Sequence, residues 1–166
     1  MAYAEKTEVP AERSRSEIER TLQRYGATAF MYGWQQGGDG TSRAVVQSQA
    51  HGRLIRFVVA MPDPNDHRFT HAPPRSKYGQ PVAHSESAAR NLYEQASRQR
   101  WRALALVIKA KLEAVEAAIS EFESEFLANI VLPDGSSVGD FMRPQIERAY
   151  TGGTMPSALP QFGSGE

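Results

Sequence analysis

Apolar positions recur every three or four residues at Trp101, Leu104, Ile108, Leu112, Val115, Ile119, Phe122 and Phe126. That spacing draws one stripe along a helix of 3.6 residues per turn. Ser85 supplies an N-cap, and neither Gly nor Pro interrupts the chain before Pro133, so the pattern predicts a single long amphipathic helix over about residues 86–127. At 1.5 Å per residue such a rod measures roughly 60 Å, against a diameter near 40 Å for a compact domain of this size, so it is expected to protrude, bend or pair with another chain.

A shorter stripe, Ile18, Leu22 and Tyr25, predicts an N-terminal helix over about residues 15–25. Ser14 and Glu17 have capping-box spacing at its start, and Gly26 suits a left-handed cap at its end. The period then changes to two. Ile55, Phe57, Val59 and Met61 alternate with Leu54, Arg56, Val58 and Ala60; the first set reads as the core face, so Arg56 points away from it. His51-Gly52 separates two β-prone runs and reads as a hairpin turn, while the aromatic stretch "AFMYGW" and the glycines 37, 38 and 40 add an earlier strand and turn. Tyr32 and Trp34 on that strand are expected to be buried. Residues 62–84 are proline-rich without periodicity and read as a long loop, the kind that in a compact domain tends to be functional or disordered. Beyond the long helix, "NIVLPDGSSVGDFM" reads as an extended piece, a turn and a helical turn, with Pro144 in the first turn of a short helix that Gly152 and Gly153 stop. The expected fold is α+β: an N-terminal helix, a three-stranded antiparallel meander, one long amphipathic helix and a short C-terminal helix. Residues 1–150 form a single domain in this reading, and 151–166 an extended Pro/Gly-rich tail.

Composition narrows the function classes. The chain has 166 residues and no cysteine, which excludes disulfides and thiolate zinc sites and fits a reducing compartment. No apolar run approaches 18 residues, and residues 1–30 lack an apolar segment with a basic flank, so neither a membrane span nor a signal peptide is expected, and the bacterial host cytoplasm is the expected location. No phosphate loop, nucleophile elbow or catalytic constellation is recognisable, so no enzymatic activity, cofactor or metal is expected. His67, His71 and His84 near Asp66 read as solvated loop residues, not ligands.

Charge changes the picture further. The net charge is zero, yet residues 41–111 carry 12 basic and 4 acidic side chains, and residues 112–166 carry 2 and 9. The basic middle suits an anionic partner. Its candidate nucleic-acid contacts are Arg43, Arg53, Arg56, Arg68, Arg75, Lys77, Arg98, Arg102 and Lys109, with Phe69 and Tyr78 in the polar loop as groups for stacking on unpaired bases. The rod is also polarised, and an antiparallel second copy would set Arg98 and Arg102 against Glu121 and Glu125, so self-association through the long helix is expected.

The runs "AEKTEVPAERSRSEIERTLQRYGATAFMYGW", "YEQASRQRWRALALVIKAKLEAVE" and "LPDGSSVG" resemble an uncharacterised protein family of bacteriophages and prophages, over most of the chain. The order helix, three-stranded meander, long helix is similar, in architecture alone, to the core of phage single-strand annealing proteins. These resemblances imply a mobile-element context and a surface for single-stranded DNA in replication or recombination. The competing expectation is a non-enzymatic interaction module, an adaptor or an inhibitor of a host factor, that docks through the long helix.

Overall fold

The computed structural model describes residue 4 and residues 6–38, 41–74 and 79–153. Helix α1 spans Ala11–Arg24, one turn earlier than its stripe suggested. Ser14 does not cap it. Ser14 lies on the buried face with Ile18 and Leu22, because Pro10 starts the helix and the stripe extends one turn toward the N-terminus. The C-terminal cap is as expected: Gly26 sits at φ +88°, with Gly26 N–H donating to Gln23 O (3.1 Å) and Ala27 N–H to Leu22 O (2.9 Å), the double closure of a Schellman motif.

Strands β1 (Ala29–Gln36), β2 (Ser42–Ala50) and β3 (Arg53–Ala60) form an antiparallel meander in that order. His51 (φ +51°) and Gly52 (φ +73°) are both left-handed, as a two-residue hairpin matched to strand twist requires. The alternation in β3 holds: Ile55, Phe57 and Met61 are buried, Val59 packs against the core, and Arg56 lies on the opposite face. Ala44, Val46, Ser48 and Ala50 line the same inner face from β2. The far edge of β3 is covered, since Ile130 bridges Ile55 and Val131 N–H donates to Leu54 O (2.8 Å).

Residues 62–84 contain short elements where the sequence suggested only loop. Helix α2 (His67–Thr70) is capped by Asp66, and strands β4 (His71–Ala72) and β5 (Val82–Ala83) pair antiparallel.

Helix α3 spans Glu86–Glu116, with Ser85 Oγ accepting from Ala88 N–H (3.3 Å). Trp101, Leu104, Ala105, Ile108 and Leu112 join α1 and the inner sheet face in one core. The helix stops eleven residues short of the expected end, and its length is about 46 Å. Ala118 adopts φ +54°, Ala118 N–H donates to Val115 O (3.0 Å) and Ile119 N–H to Ala114 O (2.9 Å), so the chain reverses. Helix α4 (Phe122–Phe126) and a 3₁₀ turn (Leu127–Asn129) follow. Ile119, a member of the expected stripe, is 81% exposed, whereas Phe126 is fully buried and meets Phe57 edge-to-face at 6.1 Å. Magnitudes explain the reversal. Burying Phe122 and Phe126 against the sheet stabilises by about 1.5–3 kcal/mol each, more than the roughly 1–2 kcal/mol that a left-handed alanine costs.

The last helix, α5, spans Val138–Gly152 and follows a turn in which Val131 bridges Ser137 and Gly135 has φ +86°. Pro144 lies inside this helix, not in its first turn, and the left-handed Gly153 ends it. Among the described residues no helix is long and apolar enough to cross a membrane.

Candidate nucleic-acid interface

Period-two alternation sends every second side chain of the meander outward, and among the described residues no helix lies across the centre of this outer face. Gln47 stands directly opposite Arg56, and Arg43 opposite Ala60. Arg43 and Gln47 are four residues apart on β2, about 13 Å along the strand. The first turns of α5 approach one side of the face and contribute Asp140 and Arg143. The result is an open groove of about 760 Å³ lined by Gln35, Thr41, Arg43, Val45, Gln47, Arg56, Val58, Asp140 and Arg143.

The groove is built to hold its charge in place. Arg56 Nη1 donates to Gly135 O at 2.8 Å. With its amide oxygen turned toward Arg56, Gln47 accepts from Nε (2.8 Å) and Nη2 (3.1 Å). Three of the five guanidinium N–H donors are therefore committed to the fold, which fixes the cation's orientation. Arg143 lies 3.4 Å from Asp140 Oδ1, while Asp140 Oδ2 accepts from Ser137 Oγ (2.8 Å), so Asp140 is engaged on both oxygens. Among the described residues the lining brings Arg43, Arg56 and Arg143 together with Asp140.

The other expected contacts do not converge there. Arg53 pairs with Glu123 (2.9 Å), Arg68 with Asp66 (3.0 Å), Arg98 with Glu94 (3.8 Å) and with Gln95 Oε1 (2.7 Å), Arg102 with Glu17, and Lys109 with Glu113 (3.7 Å). Each of these side chains thus has an acidic neighbour, and of the expected contacts among the described residues only Arg43 and Arg56 line the groove. Two members of the expected antiparallel seam are paired within the chain, Arg102 with Glu17 and Glu125 with Lys111. Phe69, expected in a polar loop, is buried 6.1 Å from Tyr93 in an edge-to-face contact, with Arg68 over its ring. Arg75, Lys77 and Tyr78 lie outside the described residues.

Tyr32 and Trp34 correct the sequence reading in the other direction. They are 48% and 56% exposed. They face the core side, opposite Val46 and Ala44, but β1 is an edge strand and the helices cover it only in part. Arg15 stacks on Tyr32 (5.1 Å) and Trp101 (5.4 Å), and Trp34 meets Trp101 edge-on at 6.3 Å. The exposed aromatics and the arginine groove therefore occupy opposite faces of one three-stranded sheet.

His67 and His71 stack at 4.4 Å with rings 5° from parallel, and His71 Nδ1 is 2.9 Å from Thr70 Oγ1. Among the described residues no group of three or more His, Cys, Asp or Glu is placed to hold a metal ion. Sequence reasoning missed Gln35, Gln47, Asp140 and Arg143 as groove residues. Alternation in β2 carried a signal for Gln47, because it shares the parity of Arg43; Arg143 carried none, being brought there by the packing of α5. Compared with protein-family models, curated proteins and solved structures, the chain matches none.

Proposed function

We propose that the protein binds nucleic acid, single-stranded DNA by preference, in a phage or prophage replication or recombination setting within the bacterial cytoplasm. The observation that supports this reading is the convergence of Arg43, Arg56 and Arg143 with two amide side chains in one open groove. Guanidinium groups suit phosphate oxygens by charge and by bidentate geometry, and Gln35 and Gln47 offer neutral donors and acceptors to sugar and base edges. An open sheet face also admits an extended strand without rearrangement.

The test is fluorescence anisotropy with a labelled single-stranded oligonucleotide at two salt concentrations. Replacing Arg43 and Arg143 together by Gln should weaken binding and flatten the log–log salt slope by about 1.4, since each phosphate contact on a single strand contributes about 0.7. Replacing Arg98 and Lys109 by Gln should change little, because neither lines the groove. Unchanged affinity in the Arg43/Arg143 variant, or no binding by the wild type at about 50 mM salt, would remove the proposal. The interaction-module reading would then lead, supported by the outward side of α3, where Leu92 and Val107 stand exposed.

A further inference from the structure

We infer that α5 pairs antiparallel with α5 of a second copy of this chain. The starting point is a mismatch between the helix and its support. Helix α5 has fifteen residues and no buried side chain. Helices shorter than about 12–15 residues are marginal by themselves, and Pro144 removes one N–H from this one. Its first turns are anchored: Val138 packs against the core, and Gly139 fits so closely against Ala128 that a Cβ there would lie 2.9 Å from the Ala128 carbonyl oxygen. Beyond that anchor, Phe141, Ile146 and Tyr150 are exposed, Tyr150 at 89%.

Along this side runs a groove of about 640 Å³ whose apolar wall is Leu127, Val138, Met142 and Ile146, and whose charged margin is Arg143 and Glu147. The apolar wall excludes nucleic acid as the occupant, and the margin selects its partner. Arg143 and Glu147 are of opposite sign and one helical turn apart. Reversing the helix about a twofold axis between Gln145 and Ile146 brings Arg143 of each copy near Glu147 of the other, the two Ile146 side chains together, and each Tyr150 near Met142 of the second copy. The surface is therefore complementary to itself in shape class and in charge, as an isologous contact requires. The seam is only about two turns long, so the association is weak and concentration-dependent. Arg143 borders both this groove and the arginine groove, but Ile146 and Glu147 line only this one, so the Ile146 and Glu147 variants test the pairing apart from the nucleic-acid reading.

Sedimentation equilibrium on the full chain tests it, over about 10 µM to about 1 mM protein. Wild type should rise from 18.4 kDa toward twice that mass. Ile146→Glu, at a half-exposed position that the fold does not need, should stay monomeric throughout. Glu147→Arg should weaken dimerisation, and the exchange Arg143→Glu with Glu147→Arg should restore it. A constant 18.4 kDa for wild type overturns the inference, as does a dimer that survives Ile146→Glu, or an exchange variant no better than the single one. A chain ending at Gly153 should dimerise as the full chain does. If it dimerised markedly more tightly, the occupant of the groove in the full chain would be residues 154–166, and the inference would fall.

Discussion

Lys111 Nζ and Glu125 Oε1 lie 2.8 Å apart across the reversal between α3 and α4, and the same ammonium donates to the Glu125 backbone carbonyl at 2.9 Å. The pair fastens the point where an expected continuous rod turns back on itself. The hydrogen bond from Lys111, and after it one from Ser120, holds the Glu125 carboxyl below its ordinary value of 4.5.

A carboxylate whose pKa is depressed by folding contributes stability above its unfolded value, and that contribution is lost as pH falls from about 4.5 through the folded value. Wild type should therefore be more stable than Glu125→Gln at about pH 7, and the difference in urea midpoint should shrink as pH falls below 4.5. A gap that stays constant with pH would show that the carboxylate's charge is not what holds the reversal.

Ser14 carries the opposite lesson. Its side chain is fully buried on the inner face of α1, and its hydroxyl has no hydrogen-bond partner. Ser14→Ala removes a desolvated polar atom, keeps nearly the same volume and favours helix, so stability should rise by about 1 kcal/mol. Lower stability on chemical denaturation would mean that the hydroxyl is satisfied in solution, for instance by a water held against α3.

The sequence made the meander legible because two signals agreed there: β3 alternates strictly, and His51-Gly52 supplies the left-handed pair that a tight hairpin needs. It misjudged Tyr32 and Trp34 because alternation reports which face a residue is on, whereas exposure depends on how far the helices cover that strand. The candidate site was half legible. Arg43 and Arg56 follow from the parity of β2 and β3, but Arg143 is more than eighty residues from Arg56 and reaches the groove through tertiary packing. On α3 the basic pattern left its partners out: Glu94 and Glu113 lie one turn from Arg98 and Lys109, while Glu17 arrives from α1 to meet Arg102.

The end of α3 was illegible because its cap uses the wrong residue. Ala118 closes α3 with the same pair of hydrogen bonds that Gly26 makes possible at the end of α1, yet it carries a Cβ in the left-handed region. Glycine reaches that region without the steric penalty, at some entropic cost in the unfolded chain. Ala118→Gly should therefore stabilise the protein by up to about 1 kcal/mol, and Gly26→Ala should destabilise it by a similar amount. The two variants probe one motif from opposite sides, and both are measured by urea denaturation monitored at 222 nm. If Ala118→Gly destabilised while Gly26→Ala behaved as expected, the reversal would not be a left-handed cap. Helix α3 would then continue past Glu116, withdrawing Phe122 and Phe126 from the core.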